Sequence, residues 1–424
     1  MIKQIIEIPV EALRIGLYVS RLDRPWIDSP FVFQGFEVEN DADLAQLQGL
    51  CKTVYVEVSA AEAEELRARG DYQKAPDAAL ATPAPEPLSE LSGDLKARIH
   101  LVPLKDPTPL KVELSAARVI YEEARRTMAK MFDKLRRGGG LDIQLMEGAV
   151  DSMIESIFRN REAMGWLARM KRKDDYLYSH SLSVSVWALT FGRHLGLERE
   201  TLRSLGLGAM VLDIGKMGLP TALLQKPGKL DAAEWASLQE HVAAGVAALE
   251  TDPQADALMK SMLLTHHERI DGSGYPNQLV GEAIPLAGRI AGLVDCYDAM
   301  TSDRHHAKAK STYEAVREIK SLESSWFQPE LVKLFIQAVG VFPAGTLVEL
   351  NSGEVGVVIA QNRFRRLRPE IMLILDSEKN MRSEFPVIDL QMFVEKNALG
   401  NPALWITQGL EPGAYGIDPA EFFL

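Results

Sequence analysis

His266-His267-Glu268-Arg269-Ile270-Asp271-Gly272-Ser273-Gly274-Tyr275-Pro276 is the stretch on which the reading of this chain turns. Two adjacent imidazoles lead into a carboxylate and then into a glycine-containing loop. Gly272 and Gly274 permit a tight turn with close backbone approach. Tyr275 and Pro276 then supply an aromatic face and a rigid wall. A plain turn between helices would show the same glycines, but it would not call for paired histidines directly before it.

Outward from this stretch, the chain holds eight histidines, and four of them lie among aspartates in its helical middle. His180 ends the run 174–180, Asp213 sits in Leu212-Asp213-Ile214-Gly215-Lys216, and His241 stands alone in a helical pattern. Asp295 lies in Val294-Asp295-Cys296-Tyr297-Asp298. Imidazole nitrogen with carboxylate oxygen suits iron, manganese or zinc better than calcium or magnesium. A single helical histidine is more often a hydrogen-bonded core or surface residue, so the order and neighbours of the motifs carry the weight.

The stretch 266–276 matches the HHExxDGxGYP signature of the HD-GYP family. Residues 295–304 resemble its DxYDAxTSDR block, residues 213–216 the end of its HDIGK motif, and Lys226-Pro227-Gly228-Lys229-Leu230 follows in order. The likeness runs over roughly residues 113–340, and several ordered blocks are far more specific than one short motif. The first seventy residues are similar, more weakly, to an uncharacterised domain found ahead of HD-GYP domains. The resemblance implies a helical metal-binding bundle that hydrolyses cyclic di-GMP with one or two divalent ions. His180, Asp213 and Asp295 would hold one ion; His241, His266 and His267 would hold a second, with Asp213 bridging. In two-metal hydrolysis the ions lower the pKa of a water and neutralise charge building on the phosphate. Asp213 and Lys216 are the expected catalytic pair, because i to i+3 spacing on a continuing helix would bring the ammonium to a bound phosphate. Lys216, Gly274, Tyr275, Pro276, Arg304 and Lys308 are the expected substrate contacts, with solvated surface charge as the alternative for Arg304 and Lys308.

The sequence departs from the family where the HD dipeptide reads Leu212-Asp213. Leucine has no lone pair, so the first site is reduced to three ligands. Even a lost partner behind the ligands costs about 10- to 100-fold in metal affinity or activity. The glutamate that gives some members a third metal is replaced by Tyr176, so a trinuclear centre is not expected. His305-His306 stands where the family usually has Pro-Tyr, and one of them is a possible replacement ligand. Three functions stay open: a phosphodiesterase acting on cyclic di-GMP, a signalling module that binds the nucleotide or a partner protein without turnover, and a phosphohydrolase of another nucleotide.

Around this core the expected architecture is multidomain and mainly α. A small N-terminal α/β domain (1–73) has β-rich runs at 5–10, 17–19, 31–36 and 53–58 and a helix from Asp41. A Pro/Ala-rich linker (74–112) follows. The helical domain (113–343) opens on the stripe Ile120, Ala124, Met128, Met131 and Leu135, ended by Gly138-Gly139-Gly140, with a second stripe through Val150, Met153, Ile154, Ile157 and Phe158. A β appendage (344–424) has strands at 346–350, 355–359 and 371–375 and a turn at Asn351-Ser352-Gly353. Arg363, Arg365, Arg366 and Arg368 form a basic cluster, read as a solvated loop or a partner-docking patch. The formal net charge of −12 argues against general nucleic-acid binding. Two cysteines without zinc spacing and no long apolar run point to a cytoplasmic chain with no membrane span. The long first helix of the bundle is a possible homodimer surface, although its stripe serves equally well for packing within the chain.

Overall fold

The computed structural model describes residues 4–23, 36–38, 41–69, 73–74, 95, 99–100, 106–170, 176–304, 308–361, 367–393 and 404–423. Two compact units are present, residues 1–90 and 91–424.

In the first unit, alternation in Thr53–Val58 sends Val54, Val56 and Val58 inward. That strand (β4) pairs antiparallel with Gln4–Pro9 (β1), placing Ile6 opposite Val56 and Ile8 opposite Val54. With Tyr18–Leu22 (β2), Phe36–Glu37 (β3) and Gln73–Lys74 (β5) it forms an antiparallel sheet in the order β3-β2-β4-β1-β5. Leu47 of the helix Asp41–Leu50 and Ala63 and Leu66 of the helix Ala60–Ala68 complete the core. The helix Ala60–Ala68 begins at a Ser59/Glu62 capping box. Most of the run 31–36 lies outside the described residues, and the strand read at 17–19 extends as Tyr18–Leu22.

The second unit is helical, with a sheet at its end. Its first long helix, Leu110–Arg136, starts three residues earlier than the periodicity indicates. It buries Leu114, Ala117, Tyr121, Ala124, Met128 and Met131, while Ile120 and Leu135 are only half-buried. Glu113 is the reason the stripe is hard to place from sequence. It is a buried carboxylate held by Ser156 Oγ at 2.7 Å and by Arg159 Nε and Nη2 at 2.7 and 2.8 Å. The partner helix Ile143–Arg159 contributes Val150, Met153, Ile154 and Ile157.

Tyr176–His194 is the axis of the bundle. From His180 to Arg193 every residue is buried, and helices Arg161–Arg169, Arg199–Met210, Leu286–Met300 and Pro329–Val339 pack around it. Its buried serines are satisfied by neighbouring carbonyls: Ser185 Oγ donates to Gly206 O at 2.8 Å. Two further helices, Ala232–Leu249 and Ala257–Thr265, close one side.

The strands of the terminal sheet are Leu347–Leu350 (β6), Val355–Ala360 (β7), Glu370–Leu375 (β8), Val387–Asp389 (β9) and Ile406–Gly409 (β10). They pair antiparallel in the order β10-β6-β7-β8-β9. Gly353, at φ +82, makes the turn between the first two. The basic cluster is not uniformly solvated: Arg368 is buried and its Nη1 donates to Leu404 O at 2.6 Å. Arg363, Arg365 and Arg366 lie outside the described residues. No described helix is long and apolar enough to cross a membrane.

Candidate metal centre and nucleotide pocket

Five segments of the helical unit bring the chemistry together. The axial helix Tyr176–His194 presents His180, and the helix Leu286–Met300 presents Asp295. Asp213 lies just beyond Arg199–Met210, where the chain enters a 3-10 turn, Ile214–Gly218, in place of a continuing α-helix. His241 is buried within Ala232–Leu249, and His266 caps the end of Ala257–Thr265, with His267 next to it. Among the described residues, two groups offer ligand atoms within 4.8 Å of one another. One is Asp213, His241, His266 and His267; the other is His180, Asp213 and Asp295.

Three of the imidazoles are held in the same way. His180 Nδ1 lies 2.7 Å from Asp298 Oδ2, His241 Nδ1 lies 2.6 Å from Leu238 O, and His266 Nδ1 lies 2.9 Å from Leu263 O. A carbonyl or carboxylate only accepts, so each Nδ1 donates, and wherever the imidazole is neutral its Nε2 keeps a lone pair. Those Nε2 atoms converge on Asp213. His180 Nε2 is 3.4 Å from Oδ2, while His241 and His266 Nε2 are 3.5 and 3.8 Å from Oδ1. His180 Nε2 also lies 3.0 Å from Asp295 Oδ1, and His267 Nε2 lies 3.2 Å from His241 Nε2.

Acceptors facing acceptors at these distances repel unless a proton or cation lies between them. Asp213 Oδ1 and His266 Nε2 are, moreover, buried with no hydrogen-bond partner among the described residues, an arrangement folded proteins rarely tolerate. The nitrogen and oxygen donors and the two unsatisfied atoms fit a divalent ion.

Electrostatics favour the ligand forms. Burial pushes His266 down to about 4. It lowers His241 as well, and it lowers His267 with help from neighbouring His266. All three are therefore neutral near pH 7. Burial works to raise the Asp213 carboxyl, but the Lys216 ammonium and His180 outweigh it and hold Asp213 well below the usual carboxylate range. Burial opposes ionisation of Asp295 too, and the hydrogen bond from His180 overcomes it.

Lys216 reaches Asp213 itself, Nζ to Oδ2 at 2.5 Å. In a 3-10 turn residues i and i+3 eclipse, so the pair meets without the α-helix that the spacing indicates. Gly215 explains the turn: a Cβ there would stand 2.0 Å from His241 O and 2.7 Å from Gly245 N. Only a glycine lets this turn approach the Ala232–Leu249 helix so closely. Gly215→Ala is expected to cost at least ~1–3 kcal/mol, since the colliding atoms are backbone. Thermal denaturation checks it, and an unchanged Tm would refute the close approach.

The loop after the paired histidines is organised by the carboxylate of the signature, a residue to which the sequence reading gives no role. Glu268 is buried and accepts from Asn277 N at 2.7 Å and Leu279 N at 3.0 Å. Arg269 Nη1 donates to the carbonyls of His266 and Glu268 and lies over the Trp326 and Phe327 rings. Gly274 is buried against Glu268, where a Cβ would meet Cα at 2.5 Å. Tyr275, half-buried, stacks on His267 with centroids 4.6 Å apart, and Pro276 is exposed. Glu268→Ala removes a charged acceptor from two backbone N–H groups, an expected loss of about 2–4 kcal/mol. Faster amide exchange at Asn277 and Leu279 would accompany it, and native-like protection at both would contradict it.

Asp298 is the other residue missed. Fully buried, it takes Trp187 Nε1 at 3.2 Å and Ser302 Oγ at 3.2 Å while orienting His180. The available signal was its place three residues after Asp295 on one helix. Arg304 is half-buried and its charge bears on Cys296, while Lys308 is exposed. His305 and His306 lie outside the described residues, as does the side chain of Tyr176.

Comparison with known proteins agrees with this geometry. Residues 159–331 match an HD domain, residues 5–145 a domain of unknown function (DUF3391), and residues 347–395 a KOW domain associated with HD domain. A cyclic di-GMP phosphodiesterase of Pseudomonas aeruginosa is 33% identical over 385 residues, covering 90% of this chain and 88% of that protein. A 3'3'-cGAMP-specific phosphodiesterase of Vibrio cholerae is 34% identical over 160 residues, 38% of this chain and 31% of that one. A cyclic di-GMP phosphodiesterase of Thermotoga maritima is 34% identical over 166 residues, 39% of this chain and 45% of that one. A relative 33% identical along nine-tenths of the sequence, together with the HD-domain match and this chain's own HHExxDGxGYP stretch, means that this chain belongs to the HD-GYP family of HD-domain proteins.

Proposed function

We propose that this chain is a metal-dependent phosphodiesterase that opens cyclic di-GMP to the linear dinucleotide, to GMP, or to both. The observation that carries the reading is the convergence of three Nδ1-anchored imidazoles on Asp213, whose Oδ1 is buried without a hydrogen-bond partner among the described residues. The relative that covers nearly the whole chain bears the name of that activity.

One or two divalent ions, iron or manganese with zinc as a further choice, would be held by His180, Asp213, His241, His266, His267 and Asp295. Bound there, they would supply an activated water and neutralise phosphate charge. The protein's own share is positional. Lys216, one quarter exposed, can turn from Asp213 to a phosphate oxygen. Gly274 lets the backbone come close, Tyr275 and Pro276 shape the wall, and Arg304 and Lys308 add positive charge around an anionic ligand.

The two ligand groups are unequal. Asp213 Oδ2 is already shared by Lys216 and His180, whereas Oδ1 faces His241 and His266 unpaired. Leu212 is buried and offers no donor beside the weaker group. This supports a strong site at Asp213, His241, His266 and His267 and a weakened one at His180, Asp213 and Asp295. The same leucine favours a second reading, a module that binds cyclic di-GMP or a partner protein without turnover.

Purified protein reconstituted anaerobically with Fe(II) or Mn(II), with bound metal counted and products resolved, separates the two. Linear dinucleotide or GMP that disappears on chelation supports the enzyme. Nucleotide binding without product under either metal supports the silent module.

A further inference from the structure

We propose that Trp235 is a substrate-binding residue whose indole stacks a purine base of the nucleotide held at the Asp213 cluster. This rests on the phosphodiesterase reading above and extends it to a residue outside the family motifs.

Trp235 is 47% exposed, and its ring meets another aromatic beside a polar site. Its centroid lies 5.8 Å from that of Tyr275 in an edge contact, and Tyr275 stacks on His267. The three rings form a continuous aromatic path from the surface to a nitrogen of the metal cluster. Trp235 also shares the Ala232–Leu249 helix with His241, six residues on, which is about 9 Å along the axis. One rigid element therefore sets the spacing between ring and cluster, on the scale of a nucleoside reaching back from its own phosphate.

The first turn of that helix is fixed just ahead of the indole. Asp231 and Glu234 form a capping box, and Lys226 Nζ is bound to Glu234 at 2.6 Å. A pinned aromatic with nearly half its area in solvent is a ready stacking platform, because every base offers a π-face. If Trp235 only covered Tyr275, an aliphatic side chain would serve as well.

The test compares the metal-loaded full chain with Trp235→Leu and Trp235→Phe, using cyclic di-GMP and the base-free diester bis(p-nitrophenyl) phosphate. Stacking predicts that leucine raises KM for cyclic di-GMP about 5- to 100-fold. It leaves kcat and turnover of the base-free diester unchanged, and phenylalanine restores most of the loss. Equal KM in all three proteins, or parallel losses on both substrates, would overturn the assignment. Should the unmodified protein hydrolyse neither diester, the phosphodiesterase reading fails by itself. Calorimetric titration with cyclic di-GMP then decides about Trp235. Binding weakened about 5- to 100-fold by leucine upholds stacking; equal affinities, or no binding by the unmodified protein, overturn it.

Discussion

Asp213→Ala is expected to release bound metal and abolish turnover together, with metal affinity falling at least about 100-fold. Asp213 is the carboxylate common to both ligand groups, so its removal strips one donor from each at once. Loss of any single histidine touches one group only. The fold is expected to survive, because Lys216, the partner left behind, is 24% exposed and can return to water. Far-UV circular dichroism should therefore match the unmodified chain while metal content drops. Asp213→Asn provides the shape-preserving control, keeping the size of the side chain and losing its charge. If the alanine variant kept both metal and turnover, the cluster would not be the active centre.

The cluster was legible because its members sit in locally recognisable surroundings. His266-His267 is followed at once by the glycine loop, and Asp213 by Gly215-Lys216, so short-range pattern carries long-range meaning. Asp298 was not legible in the same way. It stands within the DxYDAxTSDR block, but its role depends on facing His180, 118 residues earlier, and the local run does not name that partner. Glu268 hid for a related reason: its partners are backbone N–H groups nine and eleven residues on, fixed only once the loop folds back. Whether the helix continues past Asp213 is not decided by spacing, because the deciding fact is the collision a Cβ at Gly215 would make with His241 O, which periodicity does not register. At the C-terminus, Val387–Asp389 and Ile406–Gly409 form the two edges of the sheet and are largely half-buried or exposed. Edge strands this short lack the alternation that identifies a strand, whereas Val355–Ala360, central and mostly buried, was readable. Trp235 is invisible to pattern altogether, a lone aromatic whose proposed role rests on its edge contact with Tyr275.

Leu212→His is expected to have opposite effects on stability with and without metal, and that sign change is its signature. Leu212 is 3% exposed, next to Asp213, in the turn that follows the Arg199–Met210 helix. Without metal, an imidazole buried there in place of a well-packed aliphatic group lacks a partner, and about 1–3 kcal/mol is lost. The variant should therefore melt below the unmodified chain in chelator. With metal, the added lone pair joins His180, Asp213 and Asp295, so the weaker group gains a fourth donor. Binding to the folded state alone stabilises by about 2.7 kcal/mol at a hundredfold excess over Kd, which offsets or exceeds the packing loss. In Mn(II) the variant should then match or outlast the unmodified chain, bind close to one more ion per chain, and turn over substrate about 10- to 100-fold faster. Paired melts in chelator and in Mn(II), with metal counting on the same samples, check all three. If the variant is destabilised equally in both conditions and binds no extra ion, residue 212 packs away from the cluster. The first site would then owe its weakness to something other than the missing imidazole, and the case for a nucleotide-binding module without turnover would strengthen.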